Sequence, residues 1–484
     1  MLDESTAIDT ARHLLRERAK ERPRLDKVYR YTRGHSASVY VPEGARGEYR
    51  WMVERARVNV TRLVVTTVAQ NLYVEGYRPA GTSENAAPWA TWQANRMDAR
   101  QHGVHRGALK YGIAYVSVLP GDPVPVINRF SPRRMTAVYD DPVDDEWPLY
   151  AIETRVERTR DGARRIIRLY DDVARYRLVA PADVDGVDLA AAELVPDGDA
   201  WVEQHDLGVC PIVRFVNVDD LDEEEAVTGE VEPIIDMQDQ INQTTFHLLM
   251  AQQYAAFRQR WATGVATEDE DGTPAEPFRA RVDAILINES TDAKFGDFAA
   301  TDLGGYLESR EATLRHVATV TQVPPHNLLG QMANLSAEAL NAARDGLNSK
   351  VAERKSSFGE SWEQVLRLCG LAAGDRDAWA DTSAQVVWRD VESRSLAQTV
   401  DAWGKAVQML GVPAQEVWER IPGVTQTDVE RWRAAAAQGD ALARLDAMLA
   451  RQLDTASTPP AEPGAEPTSA PGSAPGAPPA PAGG

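Results

Sequence analysis

One apolar stripe of helical spacing limits the possible folds more than any other feature of the sequence. Its members are separated by 7, 4, 7, 4, 3 and 4 residues: Leu340, Leu347, Val351, Phe358, Trp362, Val365 and Cys369. These intervals keep to one face of an α-helix. The stripe covers roughly 30 residues, which predicts a helix roughly 45 Å long. Gly370 offers a suitable C-terminal stop for it.

Two shorter stripes precede this long helix and are separated from each other by a polar insert. The first contains Ile234, Met237, Ile241 and Leu248, and the second contains Leu303, Leu307, Leu314 and Val317. Between the apolar positions the first helix carries Gln238, Gln240 and Asn242, whose uncharged side chains suit contacts between helices. Pro324 and Pro325 end the second helix, because proline lacks the backbone N–H and disfavours helix in the preceding residue.

The regions on either side of these helices predict a mixed α+β chain. Helices are expected over Thr6–Arg22, Asn59–Leu72 and Trp89–Lys110, followed by short β-branched or alternating segments separated by Pro, Gly and Asp. The segments 165–170 and 174–179 are typical of a hairpin that turns through Asp171 and Asp172. Further helices are predicted at 396–410 and from Thr427 towards Leu449, the latter opened by a capping-box pattern.

The order of four segments in this chain resembles the core of the portal proteins of tailed double-stranded DNA bacteriophages. The segments are LGVCPIVRFVN from Leu207, EPIIDMQDQIN from Glu232, VPPHNLLG from Val323 and LSAEAL from Leu335. The resemblance covers roughly Asp26 to Asp440. One departure is that many members place glycine and then serine before the first stem helix, whereas Glu230 follows Gly229 here and supplies no N-cap of that kind.

The resemblance implies an α+β fold with an antiparallel β-rich wing, long stem helices, a small clip insert and a helical C-terminal crown. The implied divisions are the N-terminal wing (1–230), the first stem helix (231–258), the clip (259–300), the second stem helix (301–322), the tunnel loop (323–335), the long wing helix (336–371), the C-terminal wing and crown (372–454) and a tail (455–484). That tail holds nine of the 29 prolines and is expected to be disordered.

The resemblance also implies a function without bond chemistry. It predicts a dodecameric ring of identical subunits at one capsid vertex, made in the bacterial cytoplasm, through which the genome enters and leaves. Implied partners are double-stranded DNA, terminase, a head–tail adaptor, and the major capsid and scaffold proteins.

Three sets of residues carry these implied roles. The tunnel loop would contact DNA through Pro324, Pro325, His326, Asn327, Gln331, Met332 and Asn334, although a plain helix–helix connector is an alternative interpretation. The stem would form subunit contacts through Ile234, Met237, Ile241, Leu248, Leu303, Leu307 and Leu314. The clip would dock terminase and the adaptor through Glu268, Asp269, Glu270 and Asp271; these acids hint at a calcium loop but lack its ligand spacing.

The net charge argues against a protein that binds nucleic acid over a broad surface. The net charge is −21, whereas phosphate binding relies on Lys and Arg. Residues 231–335 contain seven basic and fifteen acidic side chains, and 323–335 contain none of either sign. An acidic or neutral channel wall would let phosphates slide rather than stick.

Motifs that would indicate an enzyme, a cofactor or a membrane protein are missing from the sequence. There is no phosphate-binding loop, no dinucleotide fingerprint, no zinc-protease motif, no CxxC pair and no long apolar run. Cys210 and Cys369 lie in apolar patterns and are expected to be buried free thiols. His102 and His105 suit packing better than a metal site, for want of a third ligand.

Two interpretations of other classes stay open on the sequence alone. One is a helical structural or adaptor protein of a virion that is not a portal. The other is a hydrolase that uses acidic clusters such as Asp140 and Asp141.

Overall fold

The computed structural model describes most of the chain up to residue 439, with gaps. The described residues are 1–37, 39, 47–80, 87–160, 162–185, 187–218, 221, 227–256, 260–263, 292, 294–297, 302–330, 337–389, 396–418, 421, 424 and 427–439. They fall into two compact units, Met1–Ser393 and Arg394–Gly484. No helix of the described residues is long and apolar enough to cross a membrane. The predicted disordered tail lies outside the described residues.

The helices of the first unit include three that correspond to the three apolar stripes: α7, α8 and α10. In chain order the helices are α1 (Glu4–Thr32), α2 (Gly47–Arg55), α3 (Val60–Ala69), α4 (Ala87–Ala94), α5 (Met97–Tyr111), α6 (Val187–Ala191), a 3-10 turn (Glu232–Ile234), α7 (Ile235–Ala256), α8 (Gly304–Thr321), α9 (Pro325–Leu329), α10 (Ala337–Ala372) and α11 (Arg376–Ala380).

All strand pairings in the described residues are antiparallel, so the chain is α+β as predicted. The strands are β1 (Val74–Arg78), β2 (Ile113–Leu119), β3 (Val126–Phe130), β4 (Met135–Val138), β5 (Tyr150–Thr159), β6 (Gly162–Tyr170), β7 (Ala174–Pro181), β8 (Val195–Pro196), β9 (Val202–Gln204), β10 (Ile212–Val216), β11 (Arg260–Thr263), β12 (Lys294–Asp297) and β13 (Gln385–Trp388).

These strands form one larger sheet and three small ones. The six-stranded sheet has the order β4-β5-β6-β7-β8, with β9 also paired to β7, and a three-stranded sheet has the order β10-β2-β3. The predicted hairpin is β6 and β7, and Asp171 closes it by accepting hydrogen bonds from the backbone N–H groups of Val173 (2.8 Å) and Ala174 (2.5 Å). The remaining pairs are β1 with β13 and β11 with β12.

Helix α1 is longer than the sequence predicts, because it continues through Pro23 to Thr32. The Asp3 side chain caps its start by accepting from the Thr6 N–H at 2.8 Å. Its first half packs on the six-stranded sheet through residues such as Leu14. Beyond the proline, Leu25 and Val28 are buried in the main core. Burial of this second half offsets the backbone hydrogen bond that proline cannot make.

The main core surrounds the C-terminal half of α10. Trp362 is fully buried there, and its ring meets Trp92 edge-on at 4.8 Å and Phe215 at 4.6 Å between centroids. The Trp362 Nε1–H donates to His105 Nε2 at 2.9 Å, and the His105 ring stacks on Phe358. Burial, followed by the nearby His102, lowers the pKa of His105 to about 3, so this imidazole is neutral. His105 therefore has the predicted packing role.

Both cysteines are free and buried, as predicted. Cys369 lies on the α10 stripe in the main core, and Cys210 lies in a cluster between the three-stranded and six-stranded sheets. Burial raises the pKa of both thiols, which keeps them protonated.

The second unit is helical where it is described. It contains α12 (Leu396–Leu410), α13 (Ala414–Val417) and a helical segment at 427–439. Trp418 and Trp432 meet edge-on with ring centroids 6.0 Å apart. The predicted helix at 396–410 is present, and the predicted helix from Thr427 is present as far as the structure describes it.

Candidate assembly site at the root of the stem helices

A buried ionic network joins the two predicted stem helices to the long helix α10. Lys350 of α10 donates through Nζ to Glu230 Oε2 and to the carbonyl of Thr321, both at 2.7 Å. Glu230 lies two residues before the 3-10 turn that opens the first predicted stem helix, and Thr321 is the last residue of α8. Lys350 therefore binds both a residue just before the first predicted stem helix and the last residue of the second one.

A second cation completes this network, which we call the root cluster: Asn217, Glu230, Lys350, Arg354 and the Thr321 carbonyl. Arg354 donates through Nε to Asn217 Oδ1 at 2.9 Å and through Nη2 to Glu230 Oε1 at 3.2 Å. The four side chains are between 2% and 9% exposed. Arg354 also lies 2.9 Å from the exposed carboxylate of Glu353, which offsets the second buried positive charge.

Two glycines allow the chain to approach α5 closely just before the root cluster. A Cβ at Gly229 would lie 2.4 Å from the Lys110 carbonyl oxygen, and one at Gly112 would lie 2.1 Å from the Val227 oxygen. Gly112 also has a φ of +90°, which disfavours other residues. The Glu230 N–H then donates to the Leu109 carbonyl at 2.7 Å. Glycine is thus required at 229 for packing, not only as a helix-start signal.

Polar residues of the first stem helix bind the start of α3. Gln238 accepts from the Val60 N–H at 2.9 Å and donates to the Val58 carbonyl. Asn242 accepts from the Val58 N–H at 3.0 Å. Both side chains are nearly inaccessible to solvent, at 2% and 1% exposure. They satisfy backbone groups at a helix start that burial would otherwise leave unpaired.

Two ionisable residues of the same region add contacts to α1. Glu232 lies 2.8 Å from the Arg24 guanidinium, and Asp239 accepts from the Tyr31 hydroxyl at 2.6 Å. Burial and then this bond to Asp239 raise the pKa of Tyr31 to about 12. The start of α7 and the residues just before it are therefore fixed to α1, α3 and α10.

The apolar stripes of the two stem helices pack largely within the chain. Ile234, Ile241 and Leu314 are buried with Val60 and Val64 of α3, and Met237 packs against the same cluster. Leu248 is also buried, whereas Leu303 is half-buried and Leu307 is 44% exposed. The described geometry brings four of the seven predicted stem residues together in one cluster and leaves Leu307 on the surface.

The first part of the predicted tunnel loop is a buried entry followed by a short exposed helix. Val323 and Pro324 are buried, and α9 then begins at Pro325. Pro325 and Asn327 are exposed and His326 is half-buried, while Leu328 and Leu329 pack against the stem cluster. Gln331, Met332 and Asn334 lie outside the described residues.

The predicted clip is described only at its two ends. There β11 and β12 pair antiparallel, with Arg260 opposite Asp297 and Thr263 opposite Lys294. The acidic residues Glu268, Asp269, Glu270 and Asp271 lie outside the described residues.

The acidic cluster after β4 serves local structure. Asp141 accepts from the Val143 N–H at 2.9 Å, and Asp145 accepts from the Asp141 N–H at 2.8 Å. These bonds are those of carboxylates that stabilise turns.

Comparison with known proteins identifies the family to which this arrangement belongs. The family of phage portal proteins described as SPP1 Gp6-like matches residues 11–441. The chain belongs to this portal family. The resemblance found in the sequence is thereby confirmed, and a structural, non-enzymatic role in a phage virion is established over the two other interpretations.

Two relatives and two solved structures show how far the similarity extends. The portal protein of Mycobacterium phage D29 is 28% identical over 369 residues, covering 72% of either chain. The portal protein of Mycobacterium phage L5 is 28% identical over 374 residues, covering 72% of this chain and 71% of its own. Chains from the necks of an empty and a native gene transfer agent particle are 13% and 11% identical, each with a TM-score of 0.43, and cover 78% and 82% of this chain and 94% and 98% of their own.

The root cluster of this portal protein is absent from the sequence-based predictions. The sequence does contain a signal for this cluster. Arg354 lies within the apolar stripe, three residues after Val351 and four before Phe358. Lys350 lies four residues earlier on the same face. Cations that occupy positions of a buried stripe need buried anions, and Glu230, read only as a missing N-cap, is that anion.

Proposed function

We propose that copies of this chain form a closed dodecameric ring at one capsid vertex, with the genome passing through its channel during packaging and ejection. The wing, clip, tunnel loop and crown divisions of the sequence belong to this proposal. The observation that carries it is the root cluster, since both stem helices are fixed at a single buried point on α10.

Stem helices that are fixed at one end suit a subunit whose channel is under mechanical load. Helices anchored at one end by charged, buried hydrogen bonds keep their direction, and a ring needs the same direction in each copy to close. The proline-led turn from α8 into α9 begins next to Thr321, so the predicted tunnel loop starts from this fixed point as well.

Charge supports the path proposed for DNA. Residues 231–335 carry a net negative charge, and the loop 323–335 carries none. An uncharged collar in an acidic channel would exclude water and touch the duplex without holding phosphates.

The partners follow from this placement. We assign terminase, and later the head–tail adaptor, to the acidic clip with Glu268, Asp269, Glu270 and Asp271. Major capsid and scaffold proteins are assigned to the wing. Synthesis and ring assembly would occur in the host bacterial cytoplasm.

The ring is testable through the exposed stem leucine. Leu307→Arg should leave the subunit folded, because that side chain is 44% exposed, yet it should prevent ring closure by placing a charge at each subunit contact. Native mass spectrometry should show subunits in place of rings. Val195→Arg, at 41% exposure on β8, is the matched control and should still form rings. Rings at normal yield from the Leu307 variant would remove α8 from the interface.

The channel is testable by adding charge to the loop. Asn327→Arg combined with Gln331→Arg should leave rings intact but slow packaging by about tenfold or more, because each added cation binds phosphate in every subunit. Packaging assays at rising salt should relieve the block.

An equivalent pair of arginines at Gln93 and Gln385, which are exposed outside the proposed channel, controls for the added charge itself. Normal packaging by the loop variant would place this loop away from DNA.

A further inference from the structure

An arginine-rich cleft lies between the three-stranded and six-stranded sheets, away from the root cluster. Its volume is about 480 Å³. The arginines that line it come from six elements or their ends: Arg100, Arg129, Arg134, Arg155, Arg168 and Arg175. We call this the arginine cleft. Such a concentration of one charge is notable in a chain whose net charge is −21.

Four of these arginines have carboxylate partners in the same chain. Glu153, which is only 1% exposed, lies 2.5 Å from Arg134 and 2.8 Å from Arg168. Arg155 pairs with Glu157 at 3.2 Å, and Arg175 pairs with Glu203. These pairs fix the walls of the cleft and neutralise part of its charge.

The remaining two arginines, Arg100 and Arg129, have no carboxylate partner in the described part of the chain. Arg129 donates to the backbone carbonyl of Arg100 at 2.7 Å, and no carboxylate among the described residues lies within ion-pair distance of either guanidinium. Gly103 makes room for this arrangement, since a Cβ there would lie 2.8 Å from Arg129 Nη1. Partial burial and then the charge of Arg100 lower the pKa of Arg129. Two adjacent unneutralised cations are a site for an anion from outside the chain.

We propose that the arginine cleft binds a carboxylate-rich segment of a partner protein. The guanidinium fork binds a carboxylate through two parallel hydrogen bonds, so Arg100 and Arg129 can each hold one acidic side chain. Its residues differ from those assigned to the proposed channel, so the proposal does not depend on ring formation.

The shape of the cleft and the negative charge of the chain favour a peptide ligand over duplex DNA. A cleft of about 480 Å³ between two sheets admits individual side chains, whereas a duplex presents its phosphates on a broad convex surface. The net charge of −21 on the chain repels a long polyanion, and this repulsion reaches about 10 Å at ordinary salt. A short segment whose carboxylates enter the cleft escapes most of that repulsion.

Binding of a fluorescein-labelled octaglutamate peptide to the full-length protein tests the proposal. Fluorescence anisotropy at about 50 mM salt should show saturable binding, with octaglutamine failing to bind. Arg100→Gln with Arg129→Gln should raise the dissociation constant about tenfold through loss of two ion pairs. Arg100→Lys with Arg129→Lys should give an intermediate dissociation constant, because lysine keeps the positive charge but lacks the forked guanidinium group.

Matched controls separate a site from general charge. Arg62→Gln with Arg106→Gln removes two exposed arginines outside the cleft and should leave peptide binding unchanged. Equal binding by the Gln variant of the cleft would overturn the proposal. Tighter binding of a DNA duplex than of the peptide, lost in the same variant, would assign the cleft to nucleic acid instead. Failure of that variant to assemble like the parent protein would assign it to a second copy of the chain.

Discussion

Replacing Glu230 by Gln is expected to lower the free energy of unfolding by about 3–5 kcal/mol, because it leaves two buried cations without their shared anion. Lys350 and Arg354 are 9% and 4% exposed, so water cannot replace the lost carboxylate. Denaturant unfolding of the first unit, followed by tryptophan fluorescence, measures this change. We also expect the variant to form fewer or less regular rings, since the stem root would lose its fixed direction.

The control is Glu311→Gln, which removes an exposed partner of Arg315 at 3.2 Å on α8. It should cost less than about 0.5 kcal/mol. The double variant Glu230→Gln with Lys350→Met should be less destabilised than the sum of its parts, because it removes one stranded cation. If Glu230→Gln lowered the free energy of unfolding by less than about 1 kcal/mol, the network would be solvated and would not fix the helices that it joins.

Replacing Trp362 by Ala should be similarly damaging, at about 3–5 kcal/mol, because a fully buried aromatic side chain leaves a large cavity. The substitution also leaves His105 Nε2 without its donor in an apolar surrounding. Trp362→Phe should keep most of the packing and lose the hydrogen bond, for a cost of about 1–2 kcal/mol.

Trp51 provides the comparison within the same protein. It is 54% exposed, and its ring contacts the Arg55 guanidinium at 3.9 Å. Trp51→Ala should cost less than about 1 kcal/mol in the same reversible denaturation. If Trp362→Ala were equally mild, the stripe on α10 would not be the centre of the core.

The sequence predicts the parts of this molecule in which local pattern and tertiary structure agree. The α10 stripe from Leu347 to Cys369 is buried where the described residues allow a comparison. The β6–β7 hairpin and its Asp171 turn were also foreseeable, since alternation and turn chemistry both indicate them. Periodicity is informative there because the position of each residue along its own helix or strand decides whether its side chain is buried.

Features that depend on distant partners were not predictable in this way. The helix α1 continues past Pro23 only because a core formed by later segments accepts Leu25 and Val28. Gly229 reads as a helix-start signal, yet the backbone of Lys110 is what excludes a side chain there. The arginine cleft draws on strands and helices whose spatial order no single spacing reveals.

The pairing of β1 with β13 has a consequence for the order in which the protein can be made. In the described part of the chain β1 pairs only with β13, and about 300 residues separate Arg78 from its partner Gln385. At bacterial elongation rates of about 5–20 residues per second, β1 leaves the ribosome roughly 15–60 s before its partner exists. Throughout that interval the nascent chain exposes a strand edge that another nascent chain could pair with. Newly made subunits are therefore most prone to mispairing while the residues between β1 and β13 are still being translated. Slower translation of that region should lower the yield of soluble subunit.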